Sequence, residues 1–202
     1  MSSFYTMAKG VLGDSKKKKI IIAVVALLIA AVGAAFWYLN KGGLKLTNYR
    51  SNDMGISIKR PAEWQAGETT ATTASFYQGN GDIKNFNDAD LAMAIVKIPG
   101  AKNDDQSKRD TNIKLVKDTL AKGFATETKD ITEKDVTIDG LQGKDLFFRA
   151  AKVKGGQETG RARVLILYDE ESYYLVVLLG SEKLYDQYAK SFGKIINSFQ
   201  KI

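Results

Sequence analysis

The sequence predicts an α+β domain that follows a single transmembrane helix. Twenty consecutive residues without charge, Ile20–Leu39, stand near the N-terminus, and the rest of the chain combines strand patterns with two helical patterns. Turn signals join successive strands closely, which is typical of an antiparallel sheet covered by helices. We therefore divide the chain into a cytoplasmic segment (1–19), a transmembrane helix (20–39), a linker (40–46) and one extracytoplasmic domain (47–202).

The apolar segment is long enough to cross a bilayer. A helix rises about 1.5 Å per residue, so this segment extends over roughly 30 Å, the thickness of the hydrocarbon core. It ends with three aromatic residues expected at a membrane–water interface, namely Phe36, Trp37 and Tyr38. Small residues on one helical face let transmembrane helices approach closely, with chance composition as the alternative. This candidate packing face comprises Ala23, Ala26, Ala30, Gly33 and Ala34.

Four consecutive lysines set the predicted orientation of the span. They are the topology determinants Lys16, Lys17, Lys18 and Lys19. Five lysines precede the span and three basic residues follow it at a similar distance. The positive-inside rule then keeps the N-terminus in the cytoplasm and places the large domain in the periplasm or outside the cell. We expect the inner or cytoplasmic membrane as the location, with membrane lipids as partners of the lysines.

A cleaved signal peptide is the alternative interpretation of the N-terminal segment. Its basic start and the small residues at 32–35 fit a peptidase site, but the apolar run exceeds the usual length of about 7–15 residues. We therefore favour an uncleaved anchor. The sequence contains no Cys, so this anchor is not a lipid-modified cysteine.

Three strands and a helix are predicted in the first half of the domain. The strand patterns end at proline or glycine turn signals and comprise Ile56–Lys59, Thr73–Gln78 and Leu91–Ile98. Asp110 then caps a helix whose apolar residues share one face. That face carries Ile113, Val116, Leu120 and Phe124.

The second half of the domain predicts hairpins and a final helix. A turn at Asp139-Gly140 and later glycine-rich or acidic turns separate the strands Asp135–Ile138, Gly143–Val153, Gly160–Tyr168 and Tyr173–Leu179. The final helix runs from a Ser181 cap to Phe199. Its apolar residues are Leu184, Tyr188, Phe192, Ile195, Ile196 and Phe199.

Several motifs together resemble the PsbP-like family. The stretch Gly55–Trp64 is similar to the opening pattern of these domains, in which a glycine, two apolar residues, a proline and a tryptophan follow in order. Val136–Gly143 is similar to their central hairpin. Tyr173–Val177 and Ile195–Phe199 are similar to their last strand and last helix, so the resemblance covers residues 45–201.

The resemblance implies an α-β-α sandwich around an antiparallel sheet. Members of this family mostly bind and support other proteins; some lie on the lumenal side of photosystems, and bacterial members include periplasmic proteins. An uncleaved span departs from that pattern and implies permanent residence in a membrane. We therefore predict a non-catalytic accessory or assembly subunit of a membrane protein complex. The alternative is an anchored carrier or sensor that binds a small apolar ligand between sheet and helix.

The distribution of charge argues against nucleic acid as a partner. The net charge is +7, of which +5 lies in residues 1–41 and +2 in residues 42–202. The domain is therefore close to neutral and lacks the basic surface of a nucleic-acid-binding protein.

The residue types disfavour catalysis, cofactors and metals. With no His and no Cys, the commonest general base, the thiol nucleophile and the usual transition-metal ligands are missing. Acidic residues in predicted turns, such as Asp169, are typical of solvated loops. The acidic run at 82–90 lacks the glycine and closing glutamate of a calcium loop. Trp64 is the candidate partner contact, with packing in the core or at its rim as the alternative.

Overall fold

Ten strands and two helices follow one another in the residues that this computed structural model describes, which are 43–78, 90–99, 105–153 and 160–202. The elements are β1 (Leu46–Ser51), β2 (Ile56–Pro61), β3 (Gln65–Thr69), β4 (Thr73–Gln78), β5 (Leu91–Pro99), α1 (Gln106–Phe124), β6 (Ala125–Ile138), β7 (Leu141–Val153), β8 (Gly160–Tyr168), β9 (Ser172–Ser181), α2 (Glu182–Ile196) and β10 (Gln200–Lys201).

Antiparallel pairing organises these strands into two sheets. The larger sheet has the order β3-β4-β5-β9-β8-β7-β6, and the smaller one has the order β1-β2-β10. Strands β6 to β9 form a meander of consecutive hairpins. At the centre, β5 pairs with β9, so that Ile95 lies opposite Val176 although they are far apart in the sequence.

One face of the large sheet packs against α2 and the small sheet. Ile95, Leu165 and Val176 of the sheet are fully buried there in one cluster with Phe192 and Ile195 of α2. Burying apolar area contributes about 25 cal/mol per Å², so this contact holds α2 on the sheet. The small sheet and the segments beside it add Met54, Ile56, Ile58 and Phe199 to the same core.

The opposite face of the large sheet packs against α1. Ile113 of this helix is buried with Phe148 and Val164, which alternate with the residues of the first core along their strands. The apolar face of α1 is narrow, since Leu115 is exposed. The predicted antiparallel α+β class with two covering helices is therefore confirmed.

Helix α1 begins earlier than the sequence predicts. Its first residue is Gln106, and Oδ1 of Asp105 accepts a hydrogen bond from the backbone N–H of Lys108 at 2.9 Å. Asp105 is therefore the cap, and the prediction of Asp110 was wrong. Asp110 lies within the helix, where its carboxylate accepts a hydrogen bond from Nε2 of Gln106 at 2.8 Å.

Helix α2 ends at Ile196 and not at Phe199 as predicted. Oγ of Ser198 donates a hydrogen bond to the carbonyl of Ile195 at 2.6 Å and accepts one from the N–H of Lys59 at 2.8 Å. These bonds turn the chain from the helix toward β2. Ser181 occupies the N-cap position as predicted, although its side chain makes no capping hydrogen bond.

Residues of the predicted linker pack against the domain. The N–H of Leu44 donates a hydrogen bond to Oγ of Ser191 in α2 at 3.0 Å, and Leu44 and Leu46 pack against the core. In the part of the chain that the structure describes, no helix is both long and apolar enough to cross a membrane. The predicted span and the N-terminal segment lie outside the described residues.

Candidate functional site

Charged residues replace apolar ones where the sheet extends past the core under α2. Along β8, Arg161 and Arg163 occupy the same face as Leu165 because strand side chains alternate. The register pairs Asp145 with Leu165 and Phe147 with Arg163, which brings Asp145 diagonally next to Arg163. The α2 face therefore becomes polar over β7 and β8.

Asp145 and Arg163 form a nearly buried bidentate ion pair. Nε and Nη2 of Arg163 donate to the two carboxylate oxygens of Asp145 at 2.9 and 2.7 Å. The side chain of Asp145 is only 5% exposed, and that of Arg163 is 20% exposed. These hydrogen bonds raise the pKa of Arg163 above its ordinary value, although burial opposes the shift. Such a pair fixes the plane of the guanidinium.

A second cation lies close to the same carboxylate. Nζ of Lys134 in β6 is 3.4 Å from Oδ2 of Asp145, and its side chain is 66% exposed. Arg163 already occupies both oxygens of Asp145, so one negative charge serves two positive charges. The charges of Arg163, Lys134 and Asp145 therefore sum to +1.

Tyr185 of α2 covers the ion pair from the helix side. The residue is 3% exposed, and burial raises the pKa of its phenol, with Asp145 and Asp186 adding to the shift and Arg163 and Arg161 opposing it. Its ring packs edge-on against Phe147, with centroids 5.8 Å apart. The phenol therefore keeps its proton at neutral pH and acts as a hydrogen-bonding group.

A second charge network fastens the start of α2 to the sheet. Arg161 contacts Oε1 of Glu182 and Oδ1 of Asp186, each at 2.5 Å, and Arg149 contacts Glu182 at 3.1 Å. These carboxylates lie in the first two turns of the helix, where negative charge is favoured by the helix dipole. The network fixes the position of Tyr185 over β7 and β8.

An open groove of about 420 Å³ lies between these charges and the helix. Ala189 of α2 lines it, and one turn further along the helix a Cβ atom on Gly193 would lie 3.7 Å from Nη1 of Arg163. A glycine within a helix costs about 1 kcal/mol relative to alanine, so Gly193 is unfavourable for the helix itself. The groove is lined by Thr132, Glu133, Lys134, Asp145, Phe147, Arg163, Tyr185 and Ala189.

The structure places Trp64, the predicted partner contact, in the apolar core. It is 5% exposed and packs edge-on against Phe192, with centroids 6.4 Å apart. Its Nε1 is buried and has no hydrogen-bond partner among the residues that the structure describes. This is the position of a core packing residue, and a contact between Trp64 and a partner stays a prediction. The other predicted site residues, in the span and before it, lie outside the described residues.

The acidic turn that contains Asp169 has a structural role. Oδ1 of Asp169 accepts hydrogen bonds from the N–H groups of Glu171 and Ser172, and Oδ2 lies 2.7 Å from Nζ of Lys201. The carboxylate therefore closes the turn between β8 and β9. Among the described residues, no group of three His, Cys, Asp or Glu side chains is arranged to hold a metal ion.

The sequence analysis missed the groove residues Asp145, Arg163 and Tyr185. One signal was present: Arg161 and Arg163 alternate with apolar residues in a strand whose later part is wholly apolar. Charged residues on a core-facing register indicate buried ion pairs. The diagonal partner Asp145 depends on strand register, which the sequence alone does not give.

Comparison with known proteins shows similarity in fold and not in sequence. No family model matches the chain, and neither does any curated protein. Cyanobacterial PsbP (CyanoP) from Synechocystis sp. PCC 6803 superposes with a TM-score of 0.51 at 16% identity, over 78% of this chain and 92% of its own. The Ran-binding protein Mog1p of Saccharomyces cerevisiae has a TM-score of 0.50 at 9% identity, over 78% of this chain and 96% of its own.

The fold of this chain is similar to that of PsbP and Mog1. A third structure, a protein from Bacteroides thetaiotaomicron, has a TM-score of 0.50 at 12% identity and matches 77% of this chain. The chain spans about half of that protein, 48% of its length. At these identities the comparisons establish the arrangement of helices and strands.

Proposed function

We propose that this protein is a non-catalytic accessory or assembly subunit of a membrane protein complex. A single span anchors it, and the outer domain contacts partner subunits through the groove beside α2. The observation that carries this proposal is the groove itself, in which a rigid ion pair and exposed donors face an open space. Preorganised polar groups of this kind favour recognition because they lose little conformational entropy on binding.

The chemistry of the groove supports binding rather than catalysis. Asp145 is engaged by Arg163 and Lys134, and Glu133 is engaged by Lys117 and Lys144. The hydrogen bond from Lys117 and the charges of both lysines lower the pKa of Glu133. A general base needs a pKa close to the working pH, and this lowering moves Glu133 away from that range. The name of the yeast neighbour, a Ran-binding protein, also describes binding.

The membrane part of the proposal rests on the sequence. The uncharged stretch Ile20–Leu39 follows four lysines, a combination that fits a span with a cytoplasmic N-terminus in the inner or cytoplasmic membrane. We further propose that the chain is a membrane-anchored member of the PsbP-like family. Its small-residue face then contacts a transmembrane helix of the complex.

The geometry favours this function over a carrier for a small apolar ligand. The space between α2 and the central strands is filled by side chains such as Phe192, Ile195 and Leu165, all of them fully buried. The groove has the volume of a small-molecule site, and apolar atoms form more of its surface than polar atoms, but Lys134, Asp145 and Arg163 place charges in its lining. An apolar ligand there would desolvate charges without offering them hydrogen bonds.

Co-purification tests the proposal in two parts. The full chain is extracted in a mild detergent, and the amounts of co-purifying membrane proteins are compared among variants. One test variant carries Leu in place of Ala26, Ala30 and Gly33 together, which removes the small-residue face of the span. Its control carries Leu at Ala31 and Ala35, which lie off that face. Lys134→Glu reverses a charge in the groove, and Lys108→Glu reverses one on α1.

We expect the Ala26/Ala30/Gly33 variant and Lys134→Glu to lose partners, and both controls to retain them. The proposal is wrong if no protein co-purifies in defined amount with the wild-type chain. It is also wrong in its present form if both test variants retain every partner at wild-type levels.

A further inference from the structure

We propose that the groove binds an acidic side chain of a partner polypeptide. The carboxylate is held by Nη1 of Arg163, Nζ of Lys134 and the hydroxyl of Tyr185. This inference rests on the proposed function, since it names the chemistry by which a partner subunit is recognised. It concerns the groove alone and does not depend on the span.

Arg163 and Tyr185 each have a hydrogen-bond donor that is not used within the described residues. Arg163 uses Nε and Nη2 on Asp145, and within the described residues its Nη1 makes no hydrogen bond. The hydroxyl of Tyr185 likewise makes no hydrogen bond to any residue that the structure describes. Both residues line the groove. Neither atom belongs to the described side-chain atoms that are buried without a partner, so both donors are accessible and can bind an acceptor in the groove.

The balance of charge also favours an anion. Glu133 lines the groove as well, but together with Asp135 it is balanced by Lys117 and Lys144. Arg163 and Lys134 share the single negative charge of Asp145, which leaves one positive charge beside the groove. A carboxylate supplies one negative charge and two acceptor oxygens, enough for the guanidinium and the ammonium together. One excess charge matches a monoanion better than a phosphate dianion.

The shape of the groove and its position at the edge of the sheet also fit an acidic side chain. Lys134 and Thr132 belong to β6, which is an edge strand of the large sheet. A segment of a partner can therefore reach the groove from this edge. The rings of Phe147 and Tyr185 form an apolar wall beside the charges. An acidic residue with apolar neighbours fits both features, because the rings take up apolar side chains while the carboxylate reaches the donors.

Peptide titration tests the inference on the full chain in a mild detergent. Backbone and Arg163 Nε–H signals are followed by ¹H–¹⁵N NMR while one of four probes is added. The probes are acetyl-Leu-Glu-Leu-amide, acetyl-Leu-Gln-Leu-amide, acetyl-Leu-Gln-Leu with a free carboxyl terminus, and inorganic phosphate. We expect the Glu peptide to bind about tenfold more tightly than the capped Gln peptide, the usual effect of one charged hydrogen-bonding group. Added salt should weaken the binding of the Glu peptide.

Variants assign the binding to the three donors. Lys134→Gln and Tyr185→Phe should each weaken the Glu peptide several-fold, whereas Lys108→Gln, the same change on α1, should leave its affinity unchanged. The proposal is overturned if the Glu and Gln peptides bind equally, or if Lys134→Gln has no more effect than Lys108→Gln. Tighter binding of phosphate or of the free carboxyl terminus would overturn the assignment to an acidic side chain. Retained co-purification alongside any of these results leaves the proposed function standing.

Discussion

Nζ of Lys201 lies 2.7 Å from Oδ2 of Asp169, which links the last strand of the chain to the turn between β8 and β9. The hydroxyl of Tyr174 donates a hydrogen bond to the same oxygen at 3.2 Å. A second aspartate joins this junction, since Oδ2 of Asp139 accepts the N–H of Lys201 at 2.8 Å. Residues from three distant turns and strands thus fix the C-terminus.

The pKa of Asp169 predicts a loss of stability in acid. Burial raises this pKa, but Lys201 and the N–H groups of Glu171 and Ser172 outweigh burial and hold it below the ordinary value of 3.8. The stabilisation is therefore complete at neutral pH and is lost as pH falls below about 4 and through the lowered pKa. Asp169→Asn should lower the free energy of unfolding by about 1–2 kcal/mol at pH 7 and less at pH 3. Urea unfolding at both pH values measures this, and an equal loss at both would contradict it.

Removing one partner of the groove ion pair should cost more than removing both. Asp145→Leu leaves the guanidinium of Arg163 without its carboxylate, and we expect a loss of about 3 kcal/mol. Replacing Asp145 by Leu and Arg163 by Met together should recover most of that loss, because apolar residues of similar volume tolerate burial. The midpoints of urea unfolding of the single and double variants provide the comparison, provided that the dependence of the unfolding free energy on urea concentration is the same for both. A double variant less stable than Asp145→Leu would contradict the expectation.

Two substitutions at Gly193 should separate an effect on stability from an effect on binding of the Glu peptide. Gly193→Ala should stabilise α2 by about 1 kcal/mol, since its Cβ would only reach van der Waals distance from Arg163. Gly193→Leu should also fold, but its side chain would cover Nη1 of Arg163 and abolish binding of the Glu peptide. Thermal unfolding and the NMR titration measure the two effects. Equal peptide affinity in the Ala and Leu variants would show that the groove is not the binding site.

The lysine cluster predicts a change in topology. Neutral residues at Lys16, Lys17, Lys18 and Lys19 would leave three basic residues after the span as the local majority, so a fraction of chains should invert. Protease accessibility of the domain in spheroplasts measures the orientation. A wild-type domain that is protected from protease, with the fourfold variant behaving identically, would refute the predicted orientation.

Strong local patterns made much of the fold predictable. The Asp139-Gly140 turn is observed as predicted, with φ angles of 51° and 77° that suit a two-residue hairpin turn. Thr73–Gln78 and Gly160–Tyr168 coincide with observed strands because their apolar residues and turn signals agree. β3, with an exposed and mostly polar sequence, carries no such pattern and was missed; it forms only because β4 offers it an edge.

The groove was beyond the reach of sequence patterns for a different reason. Its residues come from three strands and a helix, and only the register of β7 against β8 brings Asp145 to Arg163. In the sequence, Tyr185 and Gly193 are ordinary positions of an amphipathic helix. Their contacts with the groove residues depend on the polar part of the sheet beneath the helix. Local propensity carries no information on such cross-strand partners.

The pairing of β5 with β9 has a consequence for biosynthesis. Leu91 lies opposite Gly180, so β5 has no partner on that side until almost the whole chain has been made. Contacts between residues so distant in sequence form slowly, because the long intervening segment must first be ordered. The apolar edge of β5 is exposed during this interval and is prone to aggregation. A chain that acquires its central pair last depends on protection until its final hundred residues have folded around β5.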